Sequence, residues 1–236
     1  MMKSLVLAAE GEPEAPGTGS GKQLFAKSIR LVGHEGEVSV GRFSKCGDYL
    51  ASAGQDRCIF LWDVFDPECR NFGVLRGHGH AILDLAWDTA DSSFLYTASA
   101  DHTARVWDVS TGDKLRKLKG HDDVVNSVDV LPHHSSEVVA TGSDDGSALL
   151  WDLRQRQIIE DLPLGYPVTS VAFGQTAAGG YLFVGGLDNS IKAFNLRKGG
   201  SEPEYELLGH HDTITGLSVS HSGHFLLSNA MDMTLR

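Results

Sequence analysis

Residues 49–63, YLASAGQDRCIFLWD, decide the fold, because close variants follow at residues 94–108 (FLYTASADHTARVWD) and 138–152 (VVATGSDDGSALLWD). Each copy holds two apolar runs separated by a short polar segment that contains an aspartate. Short apolar runs rich in β-branched and aromatic residues and bounded by turns are typical of strands, and runs this close form antiparallel hairpins. The stretch therefore predicts a repeated β-hairpin.

A Gly-His pair precedes each hairpin and sets the length of the repeat. The second members of successive pairs lie 43 to 45 residues apart when Gly165-Tyr166 is counted in the place of one pair. One further apolar run follows each pair, and a more polar run, such as residues 114–119 or 158–162, closes the unit. Each unit therefore predicts a sheet of four antiparallel strands in an all-β chain.

A repeat of this length that begins with Gly-His and ends with Trp-Asp resembles the WD40-repeat family. The resemblance implies a β-propeller, in which every repeat is one four-stranded blade. Residues 34–236 hold about 4.6 units where we expect seven blades, so we predict an incomplete WD40 β-propeller over residues 24–236. Residues 1–23 are rich in Gly, Pro, Ser and Glu without apolar periodicity and predict a disordered leader.

Four positions recur at fixed offsets: the His of Gly-His, a Ser or Thr in the second strand, an Asp four residues later and a Trp six residues after that. The family resemblance implies that they form a hydrogen-bonded tetrad in which each buried polar group has a partner. The predicted members are His34, Ser52, Asp56, Trp62, His78, Thr97, Asp101, Trp107, His121, Thr141, Asp145, Trp151, and in the fifth unit His210, Ser228 and Asp232.

The same residue types would also suit a Ser-His-Asp catalytic triad. A nucleophile is needed only once and in an open cleft, whereas this trio recurs in unit after unit. We therefore predict a structural role and no enzyme. The fourth unit has Tyr166, Val184 and Phe194 in place of the His, hydroxyl and Trp and keeps only Asp188, which predicts an apolar contact in place of the network.

The composition argues against several other classes of function. The formal net charge of −11 gives no overall attraction to polyphosphate, so we expect no direct nucleic-acid binding. We expect no metal, because His133-His134 has no further ligands at metal spacing. We expect no membrane contact, because no apolar run is long enough to span a bilayer. We also expect no cofactor and no small-molecule substrate. The basic stretch 114–119 could meet phosphate, but we favour an edge strand protected by its charges.

The resemblance extends to one branch of the family, the WD-repeat subunits of the U5 small nuclear ribonucleoprotein. It covers about residues 30–236 and is most specific in TGLSVSHSGHFLLSNAMDMTLR, residues 215–236. It implies a nuclear, non-catalytic scaffold of the spliceosome that acts in pre-mRNA splicing and contacts the large Prp8-type core protein. The alternative is a WD-repeat scaffold of another complex, such as a ubiquitin-ligase substrate receptor or a signalling β-subunit.

A propeller binds partners mainly across the face that carries the Gly-His loops and the Asp turns, because loops vary while strands hold them rigid. We expect exposed apolar residues there to be the anchors. The candidates are Glu37, Ser39, Gln55, Arg57, His80, Leu83, Ala100, His102, Asn126, Asp144, Leu187, Thr213, Thr215 and Met231.

Overall fold

A computed structural model describes residues 6–9, 27–66, 70–131, 138–176, 179–220 and 222–236. Within these ranges the chain forms strands and turns and no helix. No helix that could cross a membrane is therefore found in the part of the chain that is described. The predicted all-β architecture of repeated four-stranded antiparallel sheets is confirmed.

Four sheets of four strands and one of two follow one another along the chain, and we number them blades one to five. Blade one consists of β3 (Val38–Phe43), β4 (Tyr49–Gly54), β5 (Cys58–Asp63) and β6 (Asn71–Arg76). Blade two consists of β7 (Ile82–Trp87), β8 (Phe94–Ser99), β9 (Thr103–Asp108) and β10 (Lys114–Lys119). Blade three consists of β11 (Val125–Val130), β12 (Val138–Ser143), β13 (Ser147–Asp152) and β14 (Gln157–Pro163). Blade four consists of β15 (Val168–Thr176), β16 (Gly179–Gly186), β17 (Ile191–Asn195) and β18 (Tyr205–Leu207), and blade five of β19 (Ile214–Val219) and β20 (Leu226–Ala230).

A separate two-stranded sheet pairs β1 (Val6–Ala9) with β2 (Lys27–Arg30). Val6–Ala9 lie within the segment that the sequence predicts to be a disordered leader, so the structure differs from that prediction at these four residues. They form a short apolar run, which can pair as a strand even though the residues after it are rich in Gly and Pro. Residues 1–5 and 10–26 lie outside the described ranges, and for them the leader stays a prediction.

The core lies between the blades. One buried cluster joins blades one and two, a second joins blades two and three, and a third joins blades three and four. The two middle strands of blade three are sandwiched between blades two and four, so β12 and β13 are buried over almost their whole length. This burial on both faces explains why their sequences read as nearly continuous apolar runs.

The first strand of each blade, the inner strand, lines a cavity of about 900 Å³. Along this cavity, side chains of one inner strand accept hydrogen bonds from the backbone of the next. The Val128 N–H donates to Oδ2 of Asp84 at 3.2 Å, and the Leu217 N–H donates to Oγ of Ser170 at 3.0 Å. The Phe173 N–H donates to Oδ2 of Asp129 at 2.7 Å. These bonds hold successive blades in a fixed register.

Burial of these carboxyl groups disfavours their charged form. It raises the pKa of Asp129 to about 6, although the Phe173 and Val130 N–H groups oppose the shift. It also raises the pKa of Asp84, against the opposing effects of Arg42 and the Val128 N–H. Because both carboxyl groups accept internal hydrogen bonds on each of their oxygens, they act as links between blades.

Candidate functional site

The structure brings the four recurring side chains together within each of the first three blades. In blade two, Nδ1 of His78 lies 2.9 Å from Oδ2 of Asp101, and Nε2 of His78 lies 2.7 Å from Oγ1 of Thr97. The indole N–H of Trp107 donates to the same hydroxyl at 3.0 Å. Because the hydroxyl accepts from the indole, its own hydrogen donates to the imidazole, and the other imidazole nitrogen donates to the carboxylate.

The same contacts recur in the other blades. In blade one the His34–Asp56, His34–Ser52 and Trp62–Ser52 distances are 2.7, 2.8 and 2.9 Å. In blade three the His121–Asp145, His121–Thr141 and Trp151–Thr141 distances are 2.8, 2.7 and 2.8 Å. In blade five the His210–Asp232 and His210–Ser228 distances are 2.9 and 2.8 Å.

In blades one, two, three and five the turn aspartate also accepts the backbone N–H that follows the histidine, a bond that the sequence offsets do not reveal. Its donors are Glu35, Gly79, Asp122 and His211, at 3.2, 2.8, 3.0 and 3.0 Å. The carboxylate therefore holds the Gly-His loop through two adjacent groups. Burial alone would raise the pKa of Asp101, but hydrogen bonds from His78, Thr103 and Gly79 outweigh it and hold this pKa well below its usual range. Burial lowers the pKa of His78, which favours the neutral imidazole that the tetrad requires.

Blade four contradicts the prediction that an apolar contact replaces the network. Lys192 takes the place of the histidine: its Nζ donates to the hydroxyl of Tyr166 at 3.0 Å and to Oδ2 of Asp188 at 2.9 Å. The ammonium also lies 4.4 Å from the centroid of the Tyr166 ring. Ser190 extends this network: its Oγ lies 3.0 Å from Oδ2 of Asp188 and 2.8 Å from Oε1 of Glu206, so the two carboxylates share its single hydroxyl hydrogen as acceptors. Of the three residues that replace tetrad members, Val184 and Phe194 join the apolar core. The blade therefore combines an apolar interior with a new polar link at the loop.

A cation four residues after the turn aspartate is the signal that could have revealed this network. Blade two has Arg105 at the position of Lys192, and its guanidinium lies 3.2 Å from Oδ2 of Asp101 and donates to the Gly77 carbonyl at 2.5 Å. Blade two therefore adds a cation to an intact tetrad, whereas in blade four the cation takes the place of the histidine.

The residue after each turn aspartate adopts a left-handed backbone conformation in all five blades. The φ angles are 65° at Arg57, 63° at His102, 86° at Gly146, 63° at Asn189 and 61° at Met233. Arg57 and His102, two of the candidate partner-binding residues, occupy this position. Their side chains bond to the loop of the next blade and so are not free for a partner. Nη1 of Arg57 donates to the Gly79 carbonyl at 3.4 Å, and Nδ1 of His102 lies 3.0 Å from the Asp122 carbonyl oxygen.

Asn126 also makes internal contacts. Its amide donates to Oδ1 of Asp144 at 2.6 Å and to the Val168 carbonyl of blade four at 2.9 Å. Leu83, Ala100, Asn126 and Thr213 are half-buried. Leu187 and Met231 are 49% and 62% exposed and lie in the turns of adjacent blades. The remaining exposed candidates are Glu37, Ser39, Gln55, His80, Asp144 and Thr215.

Sequence reasoning missed two further groups on this face. Asp122, Asp123 and Asp212 are exposed in the Gly-His loops, and Met233 is 96% exposed beside Met231. The face therefore combines exposed apolar turn residues with acidic loops. Across the described ranges, no three His, Cys, Asp or Glu side chains are grouped so that they could hold a metal ion, while His133 and His134 lie outside those ranges.

Comparison with known proteins gives matches over most of the chain. The WD domain, G-beta repeat profile matches residues 26–63, 69–108, 112–152 and 201–236, and so passes over most of blade four, where the tetrad is replaced. The chain is 43% identical over 192 residues to the pre-mRNA-splicing factor cwf17 of Schizosaccharomyces pombe, covering 81% of the chain and 54% of that protein. It is 42% identical over 194 residues to the U5 small nuclear ribonucleoprotein 40 kDa protein of Dictyostelium discoideum, covering 82% of the chain and 53% of that protein. It is 44% identical over 202 residues to the human protein of that name, covering 86% of the chain and 55% of that protein. The chain thus spans about half the length of the curated relatives it matches.

Proposed function

The chain belongs to the WD40 repeat family, and we propose that it is a non-catalytic protein scaffold that acts in pre-mRNA splicing in the nucleus. The observation that carries the proposal is the identity of 42 to 44% with relatives named as a pre-mRNA-splicing factor and as U5 small nuclear ribonucleoprotein proteins. The predicted alternative, a WD-repeat scaffold of another complex, has weaker support, because the Autophagy-related protein 16 of Arabidopsis thaliana is 29% identical over 214 residues.

The geometry of the tetrads supports a role without catalysis. The hydroxyl of Ser52 has the residue types of a triad around it, but Ser52 is only 2% exposed and its oxygen lies within hydrogen-bond distance of both His34 and Trp62. A catalytic nucleophile needs an open path to its substrate. The buried hydroxyl instead connects two strands and a loop, which suits a scaffold whose exposed loops must be held rigidly.

The face that carries the Gly-His loops and Asp turns is the surface we assign to the principal partner. Leu187 and Met231 present apolar side chains in adjacent turns, and apolar anchors surrounded by polar groups are the usual centre of a protein interface. In the splicing machinery, this partner would be the large Prp8-type core protein.

Affinity purification of the tagged chain from nuclear extract tests the proposal. Recovery of U5 small nuclear ribonucleoprotein components supports the proposal. If the tagged human relative recovers them from the same extract and this chain does not, the proposal is overturned. The double substitution Leu187→Asp and Met231→Asp should abolish recovery if the anchors are assigned correctly. The matched control is Ile159→Asp on the outer strand of blade three, which is similarly exposed at 54% and should leave recovery intact.

A further inference from the structure

The outer strand of blade two differs from the outer strands of the other blades. Strand β10 has the sequence KLRKLK, whereas β6 is NFGVLR, β14 is QIIEDLP and β18 is YEL. All four strands form the edge of their sheet among the described strands. Lysine on an edge strand can prevent unwanted pairing, but β6 and β14 have the same exposure and present Phe72 and Ile159 to solvent instead. Edge protection therefore does not explain why β10 alone is cationic.

The exposed side chains of β10 follow the alternation of a strand. Leu115, Lys117 and Lys119 are exposed, whereas Arg116 and Leu118 are half-buried and Leu118 packs against the core between blades two and three. Alternate residues of a strand lie about 7 Å apart on one face. Within the described part of the chain, no carboxylate pairs with Lys117 or Lys119.

We propose that β10 binds an extended acidic segment of a partner protein by strand addition. An edge strand offers a row of backbone N–H and C=O groups, and an added strand gains affinity from those groups and specificity from its alternate side chains. Carboxylates at every second position of the partner segment would lie opposite Lys117 and Lys119, the arrangement in which cross-strand charge pairs stabilise a sheet. The β-bulge between Lys114 and Arg116 limits the regular edge to residues 116–119, so the segment that pairs is short.

Nucleic acid is the less suitable occupant of this surface. Sites for single-stranded nucleic acid combine cations with aromatic rings on which bases stack. Strand β10 contains no aromatic residue, and Trp107 of the neighbouring strand is only 1% exposed. The net charge of −11 also repels a polyphosphate more strongly than a short peptide with few charges. The inference concerns a different surface from the proposed splicing interface and does not depend on it.

Fluorescence anisotropy of a labelled acetyl-Glu-Val-Glu-Val-Glu-amide peptide with the purified chain tests the proposal. We expect saturable binding that the double variant Lys117→Glu and Lys119→Glu weakens by at least about tenfold, because two attractive pairs become repulsive. The control variant Arg154→Glu and Arg156→Glu has the same change of net charge at exposed residues of blade three and should alter the affinity by less than about twofold. Equal weakening by the two double variants would overturn the proposal.

Two N-methylated versions of the peptide test whether the backbone takes part. Methyl groups on the amides that face β10 should abolish binding, whereas methyl groups on the alternate amides should leave it intact. If both methylated peptides bind like the parent, charge attraction alone holds the peptide and strand addition is wrong. Preferential binding of oligouridylate, lost in the Lys117→Glu and Lys119→Glu variant, would also overturn the proposal in favour of a nucleic-acid site.

Discussion

Replacing the hydroxyl of one tetrad by a methyl group should destabilise the protein through two orphaned partners. Thr97 is fully buried, and its hydroxyl joins Nε2 of His78 at 2.7 Å and the indole N–H of Trp107 at 3.0 Å. Thr97→Val keeps the shape of the side chain but leaves both partner groups buried and unpaired. A buried group without a partner costs about 1–3 kcal/mol, so with two such groups the free energy of unfolding should fall by about 2–6 kcal/mol.

A double-mutant cycle with Trp107→Phe separates this mechanism from a loss of packing. Trp107→Phe removes the orphaned N–H. The loss of unfolding free energy in the double variant should therefore be smaller than the sum of the two single losses by about 1–2 kcal/mol. Blade four already combines Val184 with Phe194 at these positions, which shows that a blade accommodates the pair.

Urea unfolding followed by far-ultraviolet circular dichroism measures the four free energies. Thr111→Val is the matched control, because Thr111 is exposed in a turn and its hydroxyl accepts only the Asp113 N–H, at 3.2 Å, which water can bind instead; it should change stability by less than about 1 kcal/mol. If the effects of Thr97→Val and Trp107→Phe add within about 0.5 kcal/mol, the hydroxyl does not couple to the indole and the reasoning is refuted.

Substitutions at three further positions test the links within and between blades. The pKa of Asp129 is raised to about 6, above the unfolded value, so its protonation stabilises the fold at low pH and this stabilisation is lost as pH rises through about 6. Asp129→Asn should therefore remove about 2 kcal/mol of the gain in urea stability between pH 7.5 and 4.5, and an unchanged pH slope would contradict this. Lys192→Met should lower stability in a thermal melt by about 1–3 kcal/mol. Lys192→Arg should lower it by less, because the arginine keeps a cation beside Asp188. Equal losses would show that the charge of Lys192 does not stabilise the blade. Ser170→Ala should speed amide hydrogen exchange at Leu217 with a loss of about 1 kcal/mol, and unaltered protection there would show that the bond between blades contributes nothing.

Sequence reasoning could predict what lies within one repeat. Thr97, Asp101 and Trp107 lie close together along the chain in one hairpin, so their offsets fix their geometry once the hairpin is recognised. The bonds between blades were missed for another reason. Asp84, Ser127 and Ser170 occupy equivalent places in blades two, three and four, and each accepts a backbone N–H of the next inner strand. The acceptor is a carboxylate in one blade and a hydroxyl in two, and Val40 takes this place in blade one, so the residue type does not repeat and the sequence carries only a weak pattern.

The network of blade four was missed for a different physical reason. The tetrad motif identifies residues by position, whereas the loop requires only that some donor approach the carboxylate of Asp188. Lys192 meets that requirement from the neighbouring strand, four residues along the chain, with a long flexible stem that a histidine lacks. The loss of His, hydroxyl and Trp therefore indicates a change in the donor and not the loss of the link.

The two kinds of link lie at different places in the blade, and this separation leaves the binding surfaces free to vary. The tetrads fix the Gly-His loops to the Asp turns, while Asp84, Ser127 and Ser170 join the inner strands along the cavity. Neither set uses the exposed side chains of Leu187, Met231 or Lys117. Substitutions at those three positions should change partner binding with less than about 0.5 kcal/mol of effect on unfolding. A larger loss of stability at Lys117 would show that β10 supports the blade itself and would remove the reason to regard it as a docking edge.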